Sequence, residues 1–100
     1  MTAKLSALHP GEILREEFLV PLGLSAGKVA RSIGVPRTRV ERIVAEQTGI
    51  SADTAVRLER LFGASAQFWM NAQAAYDLET AQTAIGDKIA HIARHNPQAA

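Results

Sequence analysis

One hundred residues are enough for a single domain with a modest core and too few for two ordinary ones. Cysteine is absent, which excludes a disulfide framework, thiolate metal sites and a cysteine nucleophile. The formal net charge is only +1, yet from Lys28 to Arg42 five basic side chains stand against Glu41 alone, leaving the rest of the chain net negative.

Hydrophobic residues make up 47% of the chain, a globular proportion, and no segment of useful length alternates with period two, so no strand is expected. The N-terminus holds one lysine and no continuous apolar run, so neither a signal peptide nor a membrane span is expected and the expected location is cytoplasmic. His9-Pro10-Gly11-Glu12 reads as the start of a first helix, with Leu14 and Phe18 inward and Pro21 and Gly23 as its stop. Ser25 caps a second helix that ends at Gly34, and Pro36 opens a third running to about Ala45. Ser51 caps a fourth, in which Ala55, Leu58 and Phe62 recur at helical spacing before Gly63. Ser65 caps a fifth, with Phe68, Trp69, Ala72 and Tyr76 in register, and Asp87 starts a short last helix through Ile89 and Ile92. The expectation is an all-α, lambda-repressor-like domain of about five helices over residues 1–82, with a short C-terminal helical tail over 83–100.

The second and third helices meet the demands of a helix-turn-helix, two short helices crossing steeply through a tight turn. Ala30 is the small side chain at the crossing, and Gly34 supplies a left-handed turn four residues later. Val29, Ile33, Val35, Val40 and Ile43 fall at the inward positions. The third helix is then the one that enters the major groove, N-terminus leading. Arg37, Thr38 and Arg42 are assigned to base contacts: arginine pairs bidentately with guanine, and threonine donates, accepts or touches a thymine methyl. Ser25, Lys28, Arg31 and Arg39 are assigned to phosphate, with Gln47 and Thr48 as further contacts to the DNA backbone. Glu41, four residues after Arg37, is expected to pair with it rather than to read cytosine.

Two stretches, "HPGEILREEFL" and "GISADTAVRLERLFGASAQFWMNAQAAYDLETA", closely resemble HigA-type antitoxins of the Xre helix-turn-helix class (VapI-like proteins) over roughly residues 8–82. The most specific part is "FGASAQFWMNAQAAYDLE". The resemblance implies a homodimer that binds operator DNA, represses its own operon and neutralises a HigB-like toxin of the RelE type, an mRNA interferase. One departure is "EQTGIS" from Glu46, where relatives usually carry a glycine and then a basic pair, so that charge beside the groove is absent here. Two other readings fit the same residues: a stand-alone repressor without a toxin, and a protein-interaction module with little affinity for DNA.

Enzymatic chemistry is not expected. His9, Glu12 and Glu16, and likewise Asp87, His91 and His95, have spacings at which a metal could be held, but a capped helix start and a solvated terminal helix explain them. Ser25, Ser51 and Ser65 are explained as caps, and neither a phosphate-binding glycine loop nor a nucleophile elbow occurs. No cofactor and no small-molecule substrate are therefore expected. The aromatics Phe68, Trp69 and Tyr76 have helical spacing and no basic neighbours, which fits core packing rather than a stacking platform for single strands.

Overall fold

A computed structural model describes residues 6–98, and every regular element in them is helical. The first helix, α1, has three successive parts: α-helical over Pro10–Ile13, π-helical over Leu14–Leu19, and α-helical again over Val20–Leu22. It begins with Pro10 at a position where a missing N–H costs nothing, and the His9 Nδ1 accepts the Gly11 N–H at 2.8 Å as its cap. Pro21 does not stop this helix, contrary to the reading of the sequence. It has no N–H to donate, and its ring crowds the carbonyl four residues back, but the wider π register lies immediately before it. There the Val20 N–H reaches five residues back to the Arg15 carbonyl, and the helix ends only at Gly23, with φ 64°.

The next three helices follow the punctuation of the sequence. Helix α2 spans Ala26–Ile33, α3 spans Arg37–Val44 and α4 spans Ala52–Phe62. Ser25 Oγ accepts the Lys28 N–H at 3.0 Å, and Ser51 Oγ accepts the Thr54 N–H at 3.3 Å, each satisfying an amide the helix itself cannot. Helix α5, Ala66–Ile89, is capped by Ser65 through the Phe68 N–H at 2.9 Å. It is one continuous rod of 24 residues, so the separate short helix expected from Asp87 does not exist. Between Tyr76 and Asp87 there is no proline and no capping break, and Gly86 is tolerated inside the helix, while Ile92 lies beyond its end.

Helix α1 packs against α3 and α5, α2 against α3 and α4, and α4 against α5. The core holds Leu14, Leu19, Val29, Ala30, Ile33, Val40, Ile43, Ile50, Ala55, Leu58 and Trp69. Trp69 is its largest member, with Phe18 and Phe68 ring centroids 5.2 and 5.0 Å away. Tyr76 sits higher on α5, edge-on to the buried His9 ring at 4.8 Å, and so joins α5 to the start of α1 rather than to the central core. Where α1 crosses the end of α3 the approach is so close that a Cβ on Gly11 would lie 1.7 Å from the Ile43 carbonyl oxygen.

The C-terminal half of α5 stands clear of this core. From Leu78 to the end of the helix no residue is buried, and the molecule is drawn out to 60 Å along one axis against 22 Å along the shortest. Among the described residues, no helix is long and apolar enough to cross a membrane.

Candidate nucleic-acid interface

The turn between α2 and α3 is what presents the basic block. At Gly34 φ is 75°, a left-handed conformation that a Cβ would strain, and the Val35 N–H closes the turn onto the Ala30 carbonyl at 3.0 Å. Ala30 is 1% exposed at the crossing, and Val29, Ile33, Val40 and Ile43 are buried around it, with Val35 half-buried. Ala30, Val40 and Ile43 thus lie buried between the two helices, and Gly34 makes the turn that joins them. With the apolar face of α3 pinned inward, Arg37, Thr38, Arg39, Glu41 and Arg42 are all exposed on the outer side.

The two helices leave an open cleft lined by Ser25, Gly27, Lys28, Arg31, Val35 and Arg37. A Cβ on Gly27 would come within 3.0 Å of the Arg37 Cδ, so the bare glycine is what lets the arginine stem lie across the first turn of α2. Arg37 Nε is 3.3 Å from the Glu41 carboxylate, the pair expected from their spacing, and the Arg37 side chain stays 73% exposed. Among the described residues Lys28, Arg31 and Arg42 have no carboxylate within 4.0 Å. Lys28 and Arg31 are therefore unneutralised in the cleft beside Arg37, and Arg42 is unneutralised on the exposed side of α3.

Arg39 is held differently. Its Nη1 donates to Asp53 Oδ2 at 2.7 Å, and the same oxygen accepts Arg57 Nε at 2.9 Å. Arg57 Nη1 in turn donates to the Ile33 carbonyl at 2.8 Å, capping the end of α2. The Arg39 guanidinium, and after it that of Arg57, holds the Asp53 carboxyl below the usual carboxylate range. Neither Asp53 nor Arg57 was marked by the sequence as part of the interface; the only signal was their i, i+4 spacing on α4.

The trailing end of α3 is fastened from α1. Arg15 Nη1 donates to the Val44 carbonyl, Nη2 to Glu46 at 3.2 Å and Nε to Glu16 at 2.9 Å. Its guanidinium is pushed further above its ordinary value, first by Glu16 and then by Glu46. Glu46 has φ 62° and is the one non-glycine residue with a positive φ among those described. A side chain there costs roughly 1–2 kcal/mol against the right-handed form. Gln47 and Thr48 are exposed just beyond it, and their N–H groups return to the Arg42 carbonyl at 2.9 and 3.4 Å. Gln73 then secures the loop to α5 by accepting the Ile50 N–H at 2.6 Å, close above Gly49, where a Cβ would lie 2.5 Å from its Oε1.

His9 is occupied by its cap and by Tyr76, and among the described residues no group of three or more His, Asp or Glu side chains is placed to hold a metal ion. Trp69 is fully buried, which leaves no aromatic platform at its position.

Known proteins show the same design. The helix-turn-helix family model matches residues 14–69. Virulence-associated protein I of Dichelobacter nodosus is 56% identical over 79 residues, covering 79% of this chain and 73% of that protein. The solved structure of Pseudomonas aeruginosa antitoxin HigA with the higBA promoter is similar at a TM-score of 0.84 and 50% identity, covering 92% of this chain and 98% of that one. That of antitoxin GraA in complex with its operator has a TM-score of 0.86 and 41% identity, covering 96% and 98%. With more than half of the chain matched by the family model and over nine-tenths of it by these antitoxin structures, the chain belongs to the Xre-type helix-turn-helix family of HigA antitoxins.

Proposed function

We propose that this protein is the antitoxin of a type II toxin–antitoxin module: as a homodimer it binds operator DNA in its own promoter, represses that operon and neutralises a HigB-like mRNA interferase of the RelE type. The observation that carries the DNA half is the outward row on α3, where Arg37, Thr38 and Arg42 are exposed beside Lys28 and Arg31 on a helix-turn-helix whose inner face is fully packed. The relatives solved with promoter and operator DNA support the same reading.

In this proposal Arg37, Thr38 and Arg42 read base edges, while Ser25, Lys28, Arg31, Arg39, Gln47 and Thr48 meet phosphate. Ser25 accepts the Lys28 N–H and keeps its own hydroxyl proton to donate. Arg39 gives one nitrogen to Asp53 and has further N–H donors for a phosphate oxygen. Support for self-association comes from the clear half of α5, where Leu78, Ile85 and Ile89 recur at helical spacing and are 60%, 42% and 53% exposed.

The test is a gel-shift titration of the protein against the DNA upstream of its own gene and against a scrambled duplex of equal length, over a range of salt. Tighter binding to the promoter, with affinity falling steeply as salt rises, is expected. Equal affinity for both duplexes would remove the operator, and with it autorepression, from the proposal.

A further inference from the structure

Glu46 is an expensive residue for what it contributes to the fold. Its backbone adopts the left-handed conformation that glycine enters without penalty, and its side chain is exposed. Its carboxylate is nevertheless fixed, because Arg15 reaches from α1 to hold it at 3.2 Å while binding the last carbonyl of α3. Arg15 also pairs with Glu16, so this cluster of three carries a net negative charge. It stands at the trailing end of a helix whose other outward charges are mostly cationic.

We propose that Glu46 sets an upper limit on the DNA affinity of this interface, by holding a fixed negative charge beside the phosphate backbone that Gln47 and Thr48 approach. The inference rests on the DNA-binding reading above. Consecutive Cα atoms are about 3.8 Å apart and a glutamine side chain with its hydrogen bond spans about 8 Å more, so the Glu46 backbone lies within roughly 12 Å of a phosphate touched by Gln47. That is well inside the Debye length of about 30 Å at about 0.01 M salt, and between one and two Debye lengths at physiological salt. The turn cannot swing the carboxylate away freely, because the Gln47 and Thr48 amides are bonded back to Arg42. A charge that meets phosphate and not bases acts on all sequences alike. It lowers operator and random binding together and keeps the dimer from being held everywhere by electrostatics.

The experiment uses the full chain with Glu46→Gln, Glu46→Gly and Glu46→Lys, and follows binding to operator and scrambled duplexes against salt. Glu46→Gln should bind both duplexes several-fold more tightly at low salt, with the ratio between them unchanged. Glu46→Lys should gain more, its salt slope steeper by about 0.9 if the new cation displaces one condensed counterion. Glu46→Gly should match Glu46→Gln in binding and melt at a higher temperature than Glu46→Gln, since it alone relieves the backbone. Because glycine suits this φ, that variant provides a folded, uncharged form even if glutamine or lysine disturbs Arg15. Unchanged affinities and parallel salt slopes across the three variants overturn the inference while leaving DNA binding intact. A gain confined to the operator also overturns it, by making Glu46 a base-reading position. A wild-type protein with no salt-dependent binding to either duplex removes the DNA reading itself, and this inference falls with it.

Discussion

Asp53 receives two guanidinium hydrogen bonds on a single oxygen, one from the recognition helix and one from its own helix. Its carboxyl is held low by Arg39 and Arg57, so the folded state binds the proton less readily than the unfolded chain. The resulting stabilisation is complete above the unfolded carboxylate range and is lost as pH falls through the lower, folded value. The melting temperatures of wild type and Asp53→Asn should therefore differ near neutrality and converge as the pH drops below the usual carboxylate range; a constant gap would show that the pair does not act through its charge. In the proposed interface the basic residues divide by what they face. Arg42→Ala should relax preference at one base position and cost roughly 1–3 kcal/mol if the contact is bidentate. Lys28→Ala should weaken operator and random DNA alike and reduce the salt slope by about one ion. A base-substitution panel separates the two, and uniform loss in both mutants would remove Arg42 from base readout. Residues whose role is local were legible in the sequence: Ser25 as a cap, Gly34 in its turn, Glu41 beside Arg37. Asp53 and Arg15 were not, because their partners Arg39 and Val44 are 14 and 29 residues away in the chain and only the crossing of helices brings them together.

Among the elements, α1 departs most from its sequence pattern. A proline followed closely by glycine reads as a stop, yet the π segment from Leu14 to Leu19 carries the helix past Pro21 to the glycine. Hydrophobic periodicity reports which face is inward but not which register the hydrogen bonds adopt, so the widened turn left no trace beyond the proline itself. The opposite error occurred in α5, where Asp87 has the chemistry of a cap but nothing before it breaks the helix. The contact of α1 with α3 gives a sharper test of packing. Gly11→Ala would drive a methyl into the Ile43 carbonyl, and because backbone, not a flexible side chain, receives it, a loss of about 3 kcal/mol or failure to fold is expected. Chemical denaturation measures the change. A variant within 0.5 kcal/mol of wild type would mean that α1 slides on α3 easily, and that the Arg15 clamp at the same junction is correspondingly loose.

At the scale of the whole molecule, the proposed function gives base reading and self-association to separate elements, the first to α3 and the second to the half of α5 that stands clear of the core. Ile85→Asp should leave the helical circular dichroism unchanged, shift sedimentation from dimer to monomer and weaken operator binding severely. A monomer that retains full operator affinity would exclude the dimer from recognition. For the dimer, footprinting should protect a near-palindrome with half-site centres about 10 base pairs apart or a multiple of that. Arg37→Ala combined with Arg42→Ala should abolish operator binding and leave toxin neutralisation nearly intact in co-expression, because a stable protein interface of about 1,600 Å² is larger than the face of one short helix. Loss of both activities in the folded double mutant would put the toxin on α3. Trp69 offers a way to watch these states. It is the only tryptophan in the chain, it is fully buried, and its indole Nε1 has no hydrogen-bond partner among the described residues. Its emission in the native protein should be strongly blue-shifted and move to the red only when the α1–α5 junction opens. Saturating operator DNA should leave the wavelength where it was, so the protein carries an intrinsic optical probe that distinguishes unfolding from occupancy.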